Sequence, residues 1–298
     1  MHVVMRPLVV VALLSAFSIA VGAQTTAGGA TNLLNLDRVY QPGQAQQYEM
    51  TGINHGWKYQ FHAESIAKKD SDSGWFEEIT WSNLRSSAPM KMSAESEAFR
   101  QKLSLSGDPK YLAVPDLSKV QPFLIGPITD TLTFYADLFL AKKLKLAQVG
   151  QHAYFESGTP NSWADGTQVI VGEDVIDFDL TLVSANPNDH TAELLVKHVP
   201  PKEQRLKLPA SWMEARVRTL PNNWVQVMKS GGGYVAQVGM EVYEVHLTVD
   251  TRDGKIVEAK IHNPVVYVER TCQDAALKQC TESKPDELVR DVSLVLTH

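Results

Sequence analysis

The chain has 298 residues, 28 Lys plus Arg against 34 Asp plus Glu, a formal net charge of −6 and two cysteines. No basic cluster stands out from this acidic balance, which argues against a nucleic-acid partner. Beyond the amino end no window reaches the roughly 18 uninterrupted apolar residues that a spanning helix needs. The most apolar stretch, Phe123 to Ala141, is interrupted by Asp130 and Asp137.

Residues 1–23 read as a secretory signal peptide. A positive region ends at Arg6, an apolar stretch runs from Leu8 to Ala20, and Val21-Gly22-Ala23 supplies small residues before Gln24. No Cys stands at that junction, so no lipoprotein anchor is expected, nor stable membrane insertion after cleavage. The expected product is exported, periplasmic or extracellular. Residues 24–36, rich in Thr, Gly and Ala, read as a flexible leader, and 37–298 as a single β-rich domain.

Strand signals follow in chain order. Trp57, Tyr59, Phe61 and Ala63 alternate with Lys58, Gln60, His62 and Glu64, as a half-buried strand requires. Trp75 to Trp81 reads as a second strand, and Phe99, Leu103 and Leu105 suggest another. Ser65-Ile66-Ala67-Lys68 matches the S-x-x-K pattern of serine acyl-enzymes, but it ends an alternating strand rather than opening a helix and lacks the partner motifs. Asp70-Ser71-Asp72-Ser73-Gly74 resembles the start of a calcium loop. Its twelfth position is Trp81 instead of Glu, so a turn is expected there.

The spacing predicts a helix over Thr129 to Leu144. Ile128, Leu132, Tyr135, Leu138 and Phe139 recur at helical intervals, Thr129 or Asp130 can cap the start, and Lys142, Lys143 and Lys145 suit the carboxyl end. Phe134 and Leu140 widen the apolar surface beyond one stripe, so something large must cover this helix. Phe134, Tyr135, Leu138 and Phe139 are therefore the candidate contacts for an apolar ligand, if the helix serves as a plug or lid.

Further along, Asn161-Ser162-Trp163-Ala164-Asp165-Gly166 precedes an acidic set, Glu173, Asp174, Asp177 and Asp179. Asp177 and Asp179 lie two apart on a strand that also carries Phe178, Leu180 and Leu182, and so face one way. With Trp163 and Asp165 they form an alternative aromatic and acidic site, suited to a sugar or a cation; the plain reading is a solvated strand face. Glu193 to His198, Trp224 to Lys229 and Val292 to Leu296 are further strands. Gly231-Gly232-Gly233 suggests a hairpin turn, and Gly239 a bulge in a long strand.

The clearest hairpin joins Glu241 to Val249 with Lys255 to Ile261 through Asp250-Thr251-Arg252-Asp253-Gly254. Its pattern puts Tyr243, Val245, Leu247, Val249, Val257, Ala259 and Ile261 inside. That leaves Glu244, His246 and Thr248 opposite Glu258, Lys260 and His262 outside, as surface pairs. A short helical turn is expected between Asp274 and Gln279. Cys272 and Cys280 are expected to form a disulfide, which export permits. Neither a metal nor a cofactor is expected. His55, His62, His152, His190 and His198 share no ligand spacing.

The fold class that follows is α+β, mostly β: a large curved antiparallel sheet, half-barrel-like, wrapping one long apolar helix. In outline this resembles the open half-barrel of periplasmic lipoprotein carriers of the Lol type, although this chain is longer and no family residues transfer to it. The resemblance implies a soluble exported protein that holds a lipid or another apolar small molecule in a concave sheet. No hydrolase signature is present, neither a G-x-S-x-G elbow nor H-E-x-x-H, so the expectation leans to a non-enzymatic protein. The alternatives are a secreted glycan-binding or glycan-acting protein and a structural envelope component.

Overall fold

The structure, a computed structural model, describes residues 34–54, 56–70, 74–106, 109–157, 162–164, 168–172, 176–199, 208–214, 222–282 and 284–298. Residues 1–23, expected to be a signal peptide, and most of the expected leader lie outside the described residues, as do His55, Ser71 to Ser73, Asp165, Glu173 and Asp174.

The first strands are β1 (Ala45–Asn54), β2 (Trp57–Asp70), β3 (Gly74–Ser86) and β4 (Gln101–Leu103), with the short helix α1 (Ala94–Ala98) before β4. The long helix α2 (Pro122–Lys143) follows, then β5 (His152–Ser157), β6 (Ser162–Ala164), β7 (Gln168–Gly172), β8 (Ile176–Asn186) and β9 (Thr191–Val199). A single helical turn, α3 (Ser211–Glu214), leads to β10 (Asn222–Ser230), β11 (Gly233–Glu241), β12 (Tyr243–Asp250), β13 (Ile256–Cys272) and β14 (Asp286–Leu296). All fourteen strands belong to one sheet, and every pairing in it is antiparallel.

Strand β13, 17 residues long, is where the sheet branches. One edge pairs with β14 from Glu258 to Tyr267. The other edge pairs first with β12, over Ile256 to His262, and then with β11, over Val265 to Cys272. A residue that cannot donate to a ladder, Pro264, stands at the switch. Its carbonyl accepts from Val242 N at 3.1 Å, and Asn263 Nδ2 donates to Val242 O at 2.7 Å. One arm thus runs β12-β9-β8-β5 and the other β11-β10-β7-β6, while β14-β1-β2-β3-β4 completes the sheet.

The sheet curves around α2, burying most of its circumference and leaving Gly126, Thr129, Thr133 and Ala136 as a half-buried stripe. Leu124, Ile128, Phe134 and Leu138 are fully buried in one core with Met50 and Phe61, Trp81, Leu180, Leu194, Leu247, Ile261 and Leu294. Those partners come from β1, β2, β3, β8, β9, β12, β13 and β14, so the helix touches both limbs of the curve. Alternation sets which side chains join it: along β2, Phe61, Ala63, Ser65 and Ala67 point inward. Trp57, expected on the same inner face, opens the strand and is 40% exposed.

Helix α2 begins seven residues before Thr129, the expected start. An interior proline removes a hydrogen-bond donor, and Pro127 stands inside this helix. Here the helix continues through it. Pro122 occupies the first turn, and burial of Leu124, Ile125 and Ile128 offsets the cost, each such side chain contributing roughly 1.5–3 kcal/mol. Thr129, Thr131 and Thr133 bond back to carbonyls of the preceding turn instead of capping an end. Within the stretch expected as a flexible leader, Leu34 N donates to Ala147 O at 3.1 Å and Leu36 is buried in the core.

A second, smaller core lies on the other arm. Val225, Ala236, Val238 and Val268 pack with Met213 of α3, Leu277 and Cys272. Cys272 and Cys280 are disulfide-bonded, as expected. The segment between them is a turn, not a helix: Asp274 Oδ1 accepts from Lys278 N and Gln279 N, and Leu277, at φ 54°, inserts into the small core. Trp212 Nε1 donates to Leu277 O at 3.0 Å, locking α3 onto the bridged loop.

Two hairpins carry local lessons. Ser230 pairs with Gly233 across Gly231 and Gly232, both at positive φ, the two-residue turn whose twist matches the strands. Gly239 is not a bulge. A side chain there would meet the Trp224 ring 2.2 Å away, so the glycine makes room for an indole, and the chain breaks at Val242 instead. In β12–β13 the outer pairs Glu244 with His262, His246 with Lys260 and Thr248 with Glu258 form as read. A register shift at Thr248/Val249 then sets Ile256, not Val257, opposite Val249 and into the core. Gly254, at φ 68°, closes this turn where Asp37 O would lie 2.4 Å from any Cβ.

Phe134 is fully buried while Phe139 is only partly covered. Phe134→Ala is expected to cost about 3–5 kcal/mol in chemical denaturation, and clearly more than Phe139→Ala. Asp250 ties the same β12–β13 turn. It accepts from Arg252 Nη2 at 2.6 Å and lies 3.4 Å from Lys255 Nζ, and the Arg252 hydrogen bond holds its carboxyl well below the ordinary 3.8. A depressed acid contributes stability above its unfolded value and loses it as pH falls through the folded one. Asp250→Asn should therefore lower Tm near neutrality, and the gap to wild type should close as pH falls below about 4.

Candidate functional site

Helix α2 carries three polar side chains into the core, and each meets a partner from a different part of the sheet. Tyr135 donates to Glu77, which also accepts from Arg38 Nε at 3.0 Å and Ser65 Oγ at 2.8 Å. Ser65 of the S-x-x-K pattern is thus a buried donor to a carboxylate, and Lys68 pairs with Glu78 at the surface. Asp130 receives both of its hydrogen bonds from Arg290 of β14. Asp137 Oδ2 lies 3.3 Å from His198 Nε2, whose ring stacks on Tyr243 at 4.6 Å and meets Phe178 edge-on at 4.7 Å.

Burial dominates the electrostatics of this interior. It pushes the Asp130 carboxyl up against the opposing pull of Arg290, and the Tyr135 hydroxyl up together with the charge of Glu77. Burial by itself lowers Arg290, but Asp130, Tyr243 and Tyr59 outweigh it and the net direction is upward.

Of the expected apolar-ligand contacts, Phe134, Tyr135 and Leu138 are core, and Phe139 packs against its edge. Asp177 and Asp179 lie on β8 beside β5. Asp177 is buried, with Oδ2 accepting from the Tyr154 hydroxyl at 2.5 Å and Oδ1 without a hydrogen-bond partner among the described residues; Asp179 Oδ1 lies 2.5 Å from His152 Nε2. Trp163 belongs to β6, at the end of the other arm, and its side chain lies outside the described residues. The calcium-like stretch Asp70 to Gly74 brackets the undescribed tip of the β2–β3 hairpin, and Trp81 at its twelfth position is core. Among the described residues no group of three or more His, Cys, Asp and Glu is placed to hold a metal ion.

A trough of about 1010 Å³ lies elsewhere, on the outer face of the sheet. It crosses the strands. Its walls are outward side chains flanking the inward ones: Thr51 and Ile53 flank Gly52, Lys260 and His262 flank Ile261, and Asp291 and Ser293 flank Val292. Register aligns them in rows. Gln60, Thr51, Ser293, Lys260 and His246 stand side by side on β2, β1, β14, β13 and β12. The next row holds Lys58, Ile53, Asp291 and His262.

Charge is unevenly spread along the trough. In the middle, His262 Nδ1 pairs with Asp291 at 2.8 Å and Lys260 with Glu258 at 2.8 Å. At the β2–β3 end, Lys58 and Arg85 are exposed and have no ion-pair partner among the described residues. At the β9 end the exposed Glu193 accepts from Ser184 Oγ at 2.8 Å, a neutral donor. The wall is therefore positive at one end, balanced in the centre and negative at the other.

Sequence reasoning reached two parts of this wall, Lys58 and Gln60 as outer positions of an alternating strand and the outer face of the β12–β13 hairpin. Thr51 and Ser293 are unremarkable polar positions of separate strands. Only the β1–β14 pairing of opposite chain ends sets them side by side. No protein-family model, curated protein or solved structure matches the chain.

The Asp130–Arg290 pair generates a double-mutant test. Removing one partner leaves a buried charge, so Asp130→Ala is expected to cost about 3–5 kcal/mol. The double variant Asp130→Leu with Arg290→Met should recover most of that loss in the same denaturation measurement.

Proposed function

We propose that the protein is an exported, non-enzymatic binding protein that takes a polar, extended ligand in the trough on the outer face of its sheet. The observation that carries this reading is the trough itself, walled by outward charged and hydroxyl side chains and floored by the backbone of the strands. Its central charges pair with one another, an arrangement that orients a ligand. Export is supported by the amino-terminal pattern and by the Cys272–Cys280 bond, a linkage that persists in oxidising compartments.

An apolar ligand beneath α2, with Phe134, Tyr135, Leu138 and Phe139 as contacts, is the second reading. It requires the helix to leave a core that buries all but one stripe of it and to strand Asp130 and Asp137 without Arg290 and His198. Each stranded charge costs several kcal/mol, which weighs in favour of the outer face.

The two readings separate by native mass spectrometry of the purified exported protein. Thr51→Trp fills the trough from an exposed position and should leave the fold intact. The expected result is a polar adduct on the wild type that disappears in this variant. A lipid adduct that survives Thr51→Trp but is lost in Phe139→Ala would overturn the outer-face reading and restore the interior one.

A further inference from the structure

The chemistry of the occupant can be narrowed, given that the trough is the binding surface. Its ends carry opposite, unneutralised charge: Lys58 and Arg85 at the β2–β3 end, Glu193 at the β9 end. A polyanion such as nucleic acid or an acidic polysaccharide would gain at the first end and be repelled at the other. A neutral glycan would ignore both. It would also lack a stacking plate, because the one aromatic residue of the wall, Tyr59, turns inward against Gly52 and Phe61. Exposed Ile53 and Val183 add apolar spots that a sugar does not use.

From β2 to β8 the trough crosses six inter-strand spacings, in the order β2-β1-β14-β13-β12-β9-β8. At about 4.8 Å each that is about 29 Å along the sheet, and at about 3.3 Å per residue an extended chain covers it with roughly nine residues. Polypeptide is the polymer that places both charge signs, hydroxyls and small apolar groups in a set order over that length. We infer that the trough binds an extended polypeptide segment of a partner protein, with acidic side chains lying at Lys58 and Arg85 and basic side chains at Glu193. The charge complementarity fixes its direction, and the central pairs hold the wall in place.

The test is fluorescence anisotropy with the purified mature protein and a labelled decapeptide, Glu-Glu at one end, Lys-Lys at the other and alternating Ser and Val between. Binding is expected, weakened about tenfold or more when the charged residues are replaced by Ser, and weakened similarly by salt raised from about 0.05 to about 0.5 M. Lys58→Glu with Arg85→Glu, both at exposed positions, should weaken it by at least about tenfold, and Thr51→Trp should abolish it. Equal affinity for the charged and uncharged peptides, or for wild type and the charge-reversed variant, overturns the inference. So does no peptide binding at all. If a neutral β-glucan hexasaccharide binds instead and Thr51→Trp blocks it, the partner class is wrong while the trough reading stands. Binding of either probe that persists in Thr51→Trp refutes both.

Discussion

The arrangement of this protein depends on covering one long helix that is apolar over most of its circumference. A flat layer can shield one stripe of a helix, but α2 needs contacts on every face except the half-buried stripe of Gly126, Thr129, Thr133 and Ala136. A single curved sheet supplies them, with partners drawn from its first strands and its last. Strong twist makes such a sheet saddle-shaped: concave toward the helix along one direction, concave toward solvent along the other. The same curvature that buries Phe134 and Leu138 thus accounts for a trough on the opposite face, running across the strands.

Polar groups on α2 decide how the helix sits. Dispersion and burial would tolerate a rotation or a one-turn slip among apolar neighbours, whereas Asp130, Tyr135 and Asp137 have partners in only one register. Those partners belong to β14, β3 and β9, so the helix is referenced to both limbs of the sheet at once. Buried ion pairs add little net stability, but breaking one leaves an uncompensated charge, which penalises every alternative placement.

The first strand is also tied to Thr297 and His298. Gln47 N donates to the carbonyl of His298 and Gln47 O accepts from Thr297 N, extending the β1–β14 ladder. Closing so long a loop makes this pairing a late and slow event in folding. Strand β13 links it to the second core: its first half serves the helix and its second half, ending at Cys272, serves the bridged arm.

Local pattern in the sequence determined the strands that alternate, the β12–β13 hairpin and its outer face, the Gly231-Gly232 turn, the disulfide and the existence of an apolar helix under a curved sheet. These depend on periods of 2 and 3.6 residues and on turn chemistry, all of which act between neighbours in the chain. The helix start, expected at Thr129, lies seven residues earlier because burial of Leu124, Ile125 and Ile128 carries the helix through Pro127. Gly239 misled because its reason is the Trp224 ring on another strand. Tertiary structure alone decided the partners of Asp130 and Asp137, the branch at Pro264 and the whole outer trough. Each of these joins residues far apart in sequence, such as Thr51 with Ser293, and strand order follows from how the sheet closes around α2, which no local period encodes.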